Sequence, residues 1–182
     1  MILKDLHIDK DWTLFLDRDG VINEKLENDY VKNWDEFKFI PESISALIKL
    51  NKIFGIKVVV TNQQGIGKGI YTHEDLQKVH LHMQKELEAH SISIDHIYYA
   101  PFLSSENHPW RKPGIGMALQ AKIDFPKINF KKSIIVGDSI SDMEFGRNAG
   151  MNTVYISNKN PGTNKKLIDF QFSSLSEFAD NL

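Results

Sequence analysis

Five short apolar runs constrain this chain more than any other feature: Thr13–Leu16, Ile56–Val60, Ile94–Tyr99, Ser133–Val136 and Thr153–Ile156. Each is bounded by Gly, Asp, Asn or Pro, and runs this short read as buried strands. Between them lie segments of helical period. Pro41 stands at an expected first helical position ahead of Ile44, Leu47 and Ile48, and Thr72 precedes Leu76, Val79, Met83 and Leu87. Strands that alternate with helices imply a parallel sheet, because a parallel neighbour is reached only through a crossover. A further strand near Phe170–Phe172 and a short helix from Ser176 complete the expected α/β fold, a Rossmann-like three-layer sandwich around a central parallel sheet. With 182 residues, 41% of them hydrophobic, the chain can bury one sizeable core, so one domain over residues 1–182 is expected.

Composition narrows the function. The formal charge is −2, with acids and bases scattered, which points away from nucleic-acid and membrane-surface partners and towards a small molecule. The absence of cysteine excludes disulfides, thiolate catalysis and cysteine-ligated zinc. No apolar run reaches the roughly 18 residues of a membrane span, and the opening Met-Ile-Leu-Lys-Asp lacks the features of a signal peptide. A cytoplasmic location is expected; a monomer is favoured, with the oligomeric state left open.

On open parallel sheets, ligands bind beyond the carboxyl ends of the strands. The first run is followed by Asp17-Arg18-Asp19-Gly20, the second by Thr61-Asn62-Gln63, and the fourth by Gly137-Asp138-Ser139. A longer loop after the third leads to Arg111-Lys112-Pro113. Asp17 and Asp19 project to one side if the backbone stays extended through Arg18. Their mutual repulsion is relieved by a hard divalent cation, with Asp138 as a third carboxylate, and magnesium suits such an oxygen set. Lys112, Arg111 and the Thr61 hydroxyl offer charge and donors for a phosphoryl group. Asp17 is the candidate nucleophile, and Asp19 the acid for the leaving alkoxide and then the base for water, which requires a tuned pKa.

These residues, with Asp142, resemble the four ordered motifs of the haloacid dehalogenase superfamily of phosphatases over residues 14 to about 156. Within that span, Asp17 to Asn23, Asp29-Tyr30-Val31, Thr61 to Gly69 and Arg111-Lys112-Pro113 are similar to one branch of it. The branch contains D-glycero-D-manno-heptose 1,7-bisphosphate phosphatase, the closer likeness, and histidinol-phosphate phosphatase. The resemblance implies a magnesium-dependent phosphomonoesterase acting on a small phosphorylated metabolite. Asp17, Asp19 (through its backbone carbonyl) and Asp138 would hold the metal, while Thr61 and Lys112 would hold the phosphoryl group. Asn62, Gln63, Arg111 and the flap around Lys25 and Asn28 would contact substrate, and Asp142 would support the site from behind. Ser139 follows Asp138 where this branch often carries Lys or Arg, which puts a hydroxyl rather than a charge on the substrate's side.

The branch usually carries a zinc loop with three cysteines and a histidine before Arg-Lys-Pro, but residues 100–110 offer only His108. No zinc is expected, since a structural site needs four ligands; Pro101, Pro109 and burial of Phe102 and Trp110 would fix the loop instead. The intervals from Asp19 to Thr61 and from Thr61 to Lys112 are too short for a large cap domain. The site should be open, with selectivity left to loops near residues 20–33 and 100–111.

Plainer readings compete. Asp-Gly is a common turn dipeptide, and Ser139-x-x-Asp142 also reads as a helix capping box. Gly65-Ile-Gly-Lys-Gly lacks P-loop spacing and reads as a turn. His80 and His82 face different sides of a helix and read as surface or rim residues, while Tyr30, Trp34, Phe37 and Phe39 read as packing under the following helix or a substrate flap. A nucleic-acid 3′-phosphatase is a rival within the same chemistry, and a phospho-receiver-like signalling domain is a non-enzymatic one.

Overall fold

The computed structural model describes residues 2–182. Six strands form one parallel sheet: β1 (Thr13–Leu16), β2 (Ile56–Asn62), β3 (His96–Ala100), β4 (Ser133–Gly137), β5 (Asn152–Ile156) and β6 (Phe170–Phe172). Their order is β3-β2-β1-β4-β5-β6. Chain direction across the sheet therefore reverses between the central β1 and β4, the switch point where α/β sheets open a crevice. Registers Leu16↔Val136 and Thr61↔Tyr99 bring the strand ends level.

Period-two alternation divides the core. Leu14 and Leu16 pack on one face with Ala46, Leu47 and Leu50 of α1 (Ser43–Ile53), Val79 and Met83 of α2 (His73–Ala89), and Phe178 of α5 (Leu175–Asp180). Phe15 points to the other face with Met117, Ala118 and Ala121 of α3 (Gly116–Asp124) and Phe145 of α4 (Ile140–Ala149). The result is the three-layer sandwich expected. Between β1 and α1 lies only one single-turn helix, Trp34–Glu36, so no cap domain is inserted there. No helix among the described residues is long and apolar enough to cross a membrane.

Several boundaries shift for local reasons. β2 runs on to Asn62, beyond the apolar run, because Thr61 and Asn62 still pair with β3. β3 starts at His96 rather than Ile94. Pro41 is not the first helical residue; Glu42, at φ +66°, turns the chain into α1. Ser174 caps α5 by accepting from Glu177 N–H, which starts that helix one residue before Ser176. The sequence reading has no counterpart for α3, whose buried face of Met117, Ala118 and Ala121 is too small-sided to show as an apolar stripe.

α4 sits close on the sheet through Gly146, where a Cβ would lie 2.4 Å from Ile135 Cγ2 and 2.7 Å from Thr153 Cγ2. Alanine would gain about 1 kcal/mol in helix propensity, but overpacking against two β-branched side chains costs about 1–3 kcal/mol. Gly146→Ala is therefore expected to lower stability by about 1 kcal/mol net, read from urea unfolding midpoints.

Candidate active site

At the switch point, Asp17 N–H donates to Val136 C=O at 2.9 Å, which carries the sheet one residue past β1 and sets Asp17 beside the end of β4. Carboxylate oxygens of Asp17, Asp138 and Asp142 lie within 4.8 Å of one another. Between them comes Lys112, 3% exposed, with Nζ 3.0 Å from Asp17 Oδ1, 2.5 Å from Asp142 Oδ1 and donating to Val60 C=O at 2.7 Å. Asn62 holds that lysine's backbone from both sides, accepting from Lys112 N–H at 3.0 Å and donating to Lys112 C=O at 3.1 Å.

Asp142 bonds in two directions. Its Oδ2 accepts from Ser139 N–H at 3.0 Å and Ser139 Oγ–H at 2.5 Å, capping α4, while Oδ1 faces Lys112. Gly20 adopts φ +89°, and a Cβ there would lie 2.3 Å from Asp138 Oδ2. Only glycine lets the Asp138 carboxylate rest against the backbone that follows Asp19.

Burial, Asp142, Asp138 and Asp19 together lift the Asp17 carboxyl to about 7 against the opposing pull of Lys112. Burial likewise raises Asp138, although Lys25 bonds it at 2.7 and 3.0 Å. Lys112 is raised despite burial, with Asp142 and then Asp17 as its stabilising partners. A pocket of hard oxygen donors whose acids resist ionising is short of positive charge, and the residues present fit a magnesium ion.

Asp19 is treated differently. Burial pushes its pKa up, but the Arg18 charge and hydrogen bonds from Arg18, Asn23 and Gln63 outweigh this and hold it below the usual carboxylate range. Arg18 Nη2 donates to both Asp19 oxygens at 2.8 and 3.0 Å, Asn23 Nδ2 donates to Oδ1 at 2.9 Å, and Gln63 Nε2 donates to Oδ2 at 2.9 Å. Gln63 also donates to Thr61 Oγ1 at 2.9 Å, and Tyr71 O–H donates to Gln63 Oε1 at 2.5 Å.

These groups open onto a cavity of about 230 Å³ whose lining includes Asp17, Asp19, Thr61, Lys112, Lys25 and Arg111. Several expected substrate contacts have other work. The Asn62 amide is occupied by Lys112, Gln63 by Asp19, Thr61 and Tyr71, and the Ser139 hydroxyl by Asp142, although all three border the cavity. Asn28, at φ +57°, makes a turn and is absent from the lining, whereas Asp29 and Tyr30 are present. Arg111 is half-buried at the mouth, its Nη1 3.4 Å from Phe102 C=O.

Other readings are revised too. His80 is buried against Arg18, not at the rim, while exposed His82 stacks on Trp34 at 5.4 Å. Trp34, Phe37 and Phe39 pack together and join the core that α1 and α2 share, and Tyr30 alone of that group lines the cavity. Phe102 and Trp110 are only partly buried; the 100–111 loop is held by the Phe102–His108 ring stack and by Gly67 N–H donating to Pro101 C=O at 3.0 Å. Sequence reasoning missed Arg18, Asn23 and Tyr71 as supports of the site. The one available signal was an arginine lying between two acids on a strand end.

The family model described as polynucleotide kinase 3 phosphatase matches residues 10–182. The chain belongs to that family. With it comes membership of the haloacid dehalogenase-like phosphatases that the motifs resemble; the crystal structure of a Mesorhizobium loti protein described as a phosphatase of that kind shares the fold at TM-score 0.74 and 26% identity, covering 93% of this chain and 84% of that one. A Mycobacterium tuberculosis D-glycero-alpha-D-manno-heptose-1,7-bisphosphate 7-phosphatase is 39% identical over 173 residues, covering 92% of this chain and 90% of that one. A Haemophilus influenzae D-glycero-beta-D-manno-heptose-1,7-bisphosphate 7-phosphatase is 39% identical over 139 residues, or 73% and 74% of the two chains. The crystal structure of D,D-heptose 1,7-bisphosphate phosphatase from B. bronchiseptica, complexed with magnesium and phosphate, shares the fold at TM-score 0.82 and 24% identity, covering 93% of this chain and 96% of that one. Three of these four proteins match more than nine-tenths of the chain.

Between the ordinary carboxylate pKa of about 3.9 and about 7, folded Asp17 holds a proton that the unfolded chain has released. By linkage, its contribution to stability falls as pH rises through that window. In metal-free protein, Asp17→Asn should flatten the decline in urea midpoint between pH 4 and pH 7, roughly the limits set by those two values.

Proposed function

We propose that residues 1–182 form one magnesium-dependent phosphatase domain that hydrolyses a sugar bisphosphate, D-glycero-D-manno-heptose 1,7-bisphosphate, through a phosphorylated Asp17. The observation that carries this reading is the placement of Asp17, Asp19, Thr61 and Lys112 on one polar cavity at the switch point of the sheet. The substrate follows the names of full-length relatives at 39% identity. The reading includes a cytoplasmic monomer without nucleic-acid or membrane partners.

Both hydrogen bonds or ion pairs on Asp17, from Arg18 N–H and Lys112 Nζ, fall on Oδ1, which leaves Oδ2 to attack phosphorus. As the Oδ2–P bond forms, the P–O bond to the sugar breaks, and its electron pair leaves with the alkoxide. Asp19 delivers a proton to that oxygen. The cradle around Asp19 favours its ionised form, and an incoming phosphate dianion raises its pKa by like-charge repulsion. In the second step Asp19 takes a proton from water, whose oxygen attacks phosphorus and releases Asp17 and inorganic phosphate. Thr61 Oγ1 accepts from Gln63, which frees its own proton for a phosphoryl oxygen. Magnesium, held by Asp17, Asp138 and the Asp19 carbonyl, would supply charge neutralisation on the phosphoryl group. An ion on Asp138 would compete with Lys25 for its oxygens, and the exposed lysine, if released, would be available to substrate.

Phosphate release with magnesium from heptose 1,7-bisphosphate, histidinol phosphate and a 3′-phosphorylated oligonucleotide tests the assignment. The heptose ester should give the highest kcat/KM, chelation of magnesium should abolish it, and Asp17→Asn should reduce turnover below detection. Undiminished turnover in that variant would sink the mechanism, and preference for the oligonucleotide would reverse the substrate choice. A long-lived phospho-Asp17 without multiple turnovers would favour the receiver-like alternative. Arg111→Ala, which removes a charged donor at the mouth, should raise KM for the bisphosphate about tenfold with little change in kcat, as expected for about 1.5 kcal/mol of uniform binding.

A further inference from the structure

The side chain between the two catalytic acids is the largest fully buried one in the protein: Arg18 is 0% exposed. A buried guanidinium needs a counter-charge and acceptors for its fixed fork of donors. Asp19 supplies the charge, accepting from Nε at 3.3 Å and from Nη2 at 2.8 and 3.0 Å. Nη1 points the other way, 3.1 Å from His80 Nε2. Arginine has no lone pair to offer, so the imidazole accepts through Nε2 and carries its proton on Nδ1.

His80 is well placed to act as a fixed point. It lies on the inner face of α2, between buried Leu76 and Met83, and its ring meets Tyr99 edge-on at 6.1 Å. It reaches the catalytic strand end across 62 residues of sequence and is absent from the cavity lining. We propose that His80 is a positioning residue for the reaction: by accepting from Arg18 it holds the guanidinium flat against Asp19 and so fixes the acid/base carboxylate. The proposal rests on the phosphatase reading above and assigns that site a support on a different element. Burial and the Arg18 charge keep the ring unprotonated, with a pKa lowered to about 3. Lost anchoring would leave one end of a buried guanidinium without an acceptor and let the Asp19 carboxylate turn with it.

The consequence depends on the leaving group, which a general loss of structure would not reproduce. In kcat/KM, which reports steps up to phosphorylation of Asp17, a sugar alkoxide needs the proton from Asp19, whereas p-nitrophenolate departs without one. The comparison uses magnesium-loaded full-length protein, p-nitrophenyl phosphate, and the best alkyl ester among heptose 1,7-bisphosphate and histidinol phosphate. His80→Leu, which removes the acceptor and keeps apolar volume, should lower kcat/KM on the alkyl ester about 10- to 100-fold, part of the 10²–10⁴ that general acid–base help contributes. On p-nitrophenyl phosphate the loss should stay within about threefold. His80→Gln, whose carbonyl can accept from Arg18, should recover most of the alkyl-ester activity. If His80→Leu does not fold, as judged by circular dichroism, His80→Asn, with an amide too short to reach Arg18, is compared with His80→Gln instead. Equal losses on both esters, or a glutamine variant as impaired as the leucine or asparagine one, overturn the positioning role. Wild-type protein that cleaves no alkyl ester overturns the sugar-phosphatase reading and this inference together; wild-type activity with an indifferent His80 overturns the inference alone.

Discussion

The site is organised around one buried ammonium group. Lys112 Nζ lies between Asp17 and Asp142 and bonds the β2 backbone at Val60, while the Lys112 backbone is held by Asn62 at the end of the same strand. Two carboxylates about 4 Å apart repel by roughly 4 kcal/mol at an effective dielectric of 20, and the interior of a sheet offers no water to screen them. The lysine therefore does more than await a phosphate. It makes it possible for acids from the ends of β1 and α4 to share one pocket, and it ties the loop after β3 to the centre of the sheet. The pairing remains incomplete, because Asp17, Asp138 and Asp142 meet only Lys112 and the exposed Lys25, and a divalent cation would make up that shortfall.

Two acids only two residues apart are given opposite characters by their surroundings. Asp17 turns towards Asp138 and Asp142 and is raised; Asp19 turns towards Arg18, Asn23 and Gln63 and is lowered. The proposed reaction in two half-steps needs one carboxylate that bonds to phosphorus and one that exchanges protons. Among the surrounding polar groups, Gln63 bonds Asp19, Tyr71 holds Gln63 in turn, and Asn62 holds the backbone of Lys112. On the 20–33 and 100–111 loops the cavity is lined by Lys25, Asp29, Tyr30 and Arg111, with Lys25 paired to Asp138 and Asp29 to Lys32. Relatives of the same 39% identity are named for the alpha and the beta heptose anomers alike.

The sequence by itself determined the alternation of strands and helices and the sheet edge at which Asp17, Asp19, Asp138 and Lys112 are brought together. Apolar periodicity and the polar residues that end each run are local signals, so they can be read without knowing what lies across the fold. Tertiary structure alone decided which polar groups were already engaged. Asn62 and Gln63 line the cavity, but only the fold shows Lys112, Tyr71 and Asp19 already bonded to them, and only the fold shows Asn28 in a left-handed turn off the cavity lining. Arg18 and His80 are the clearest case: separated by 62 residues, they meet because α2 packs over the end of β1. A hydrogen bond spends a donor and an acceptor whose positions are set by the whole fold, and no spacing within the chain records that pairing.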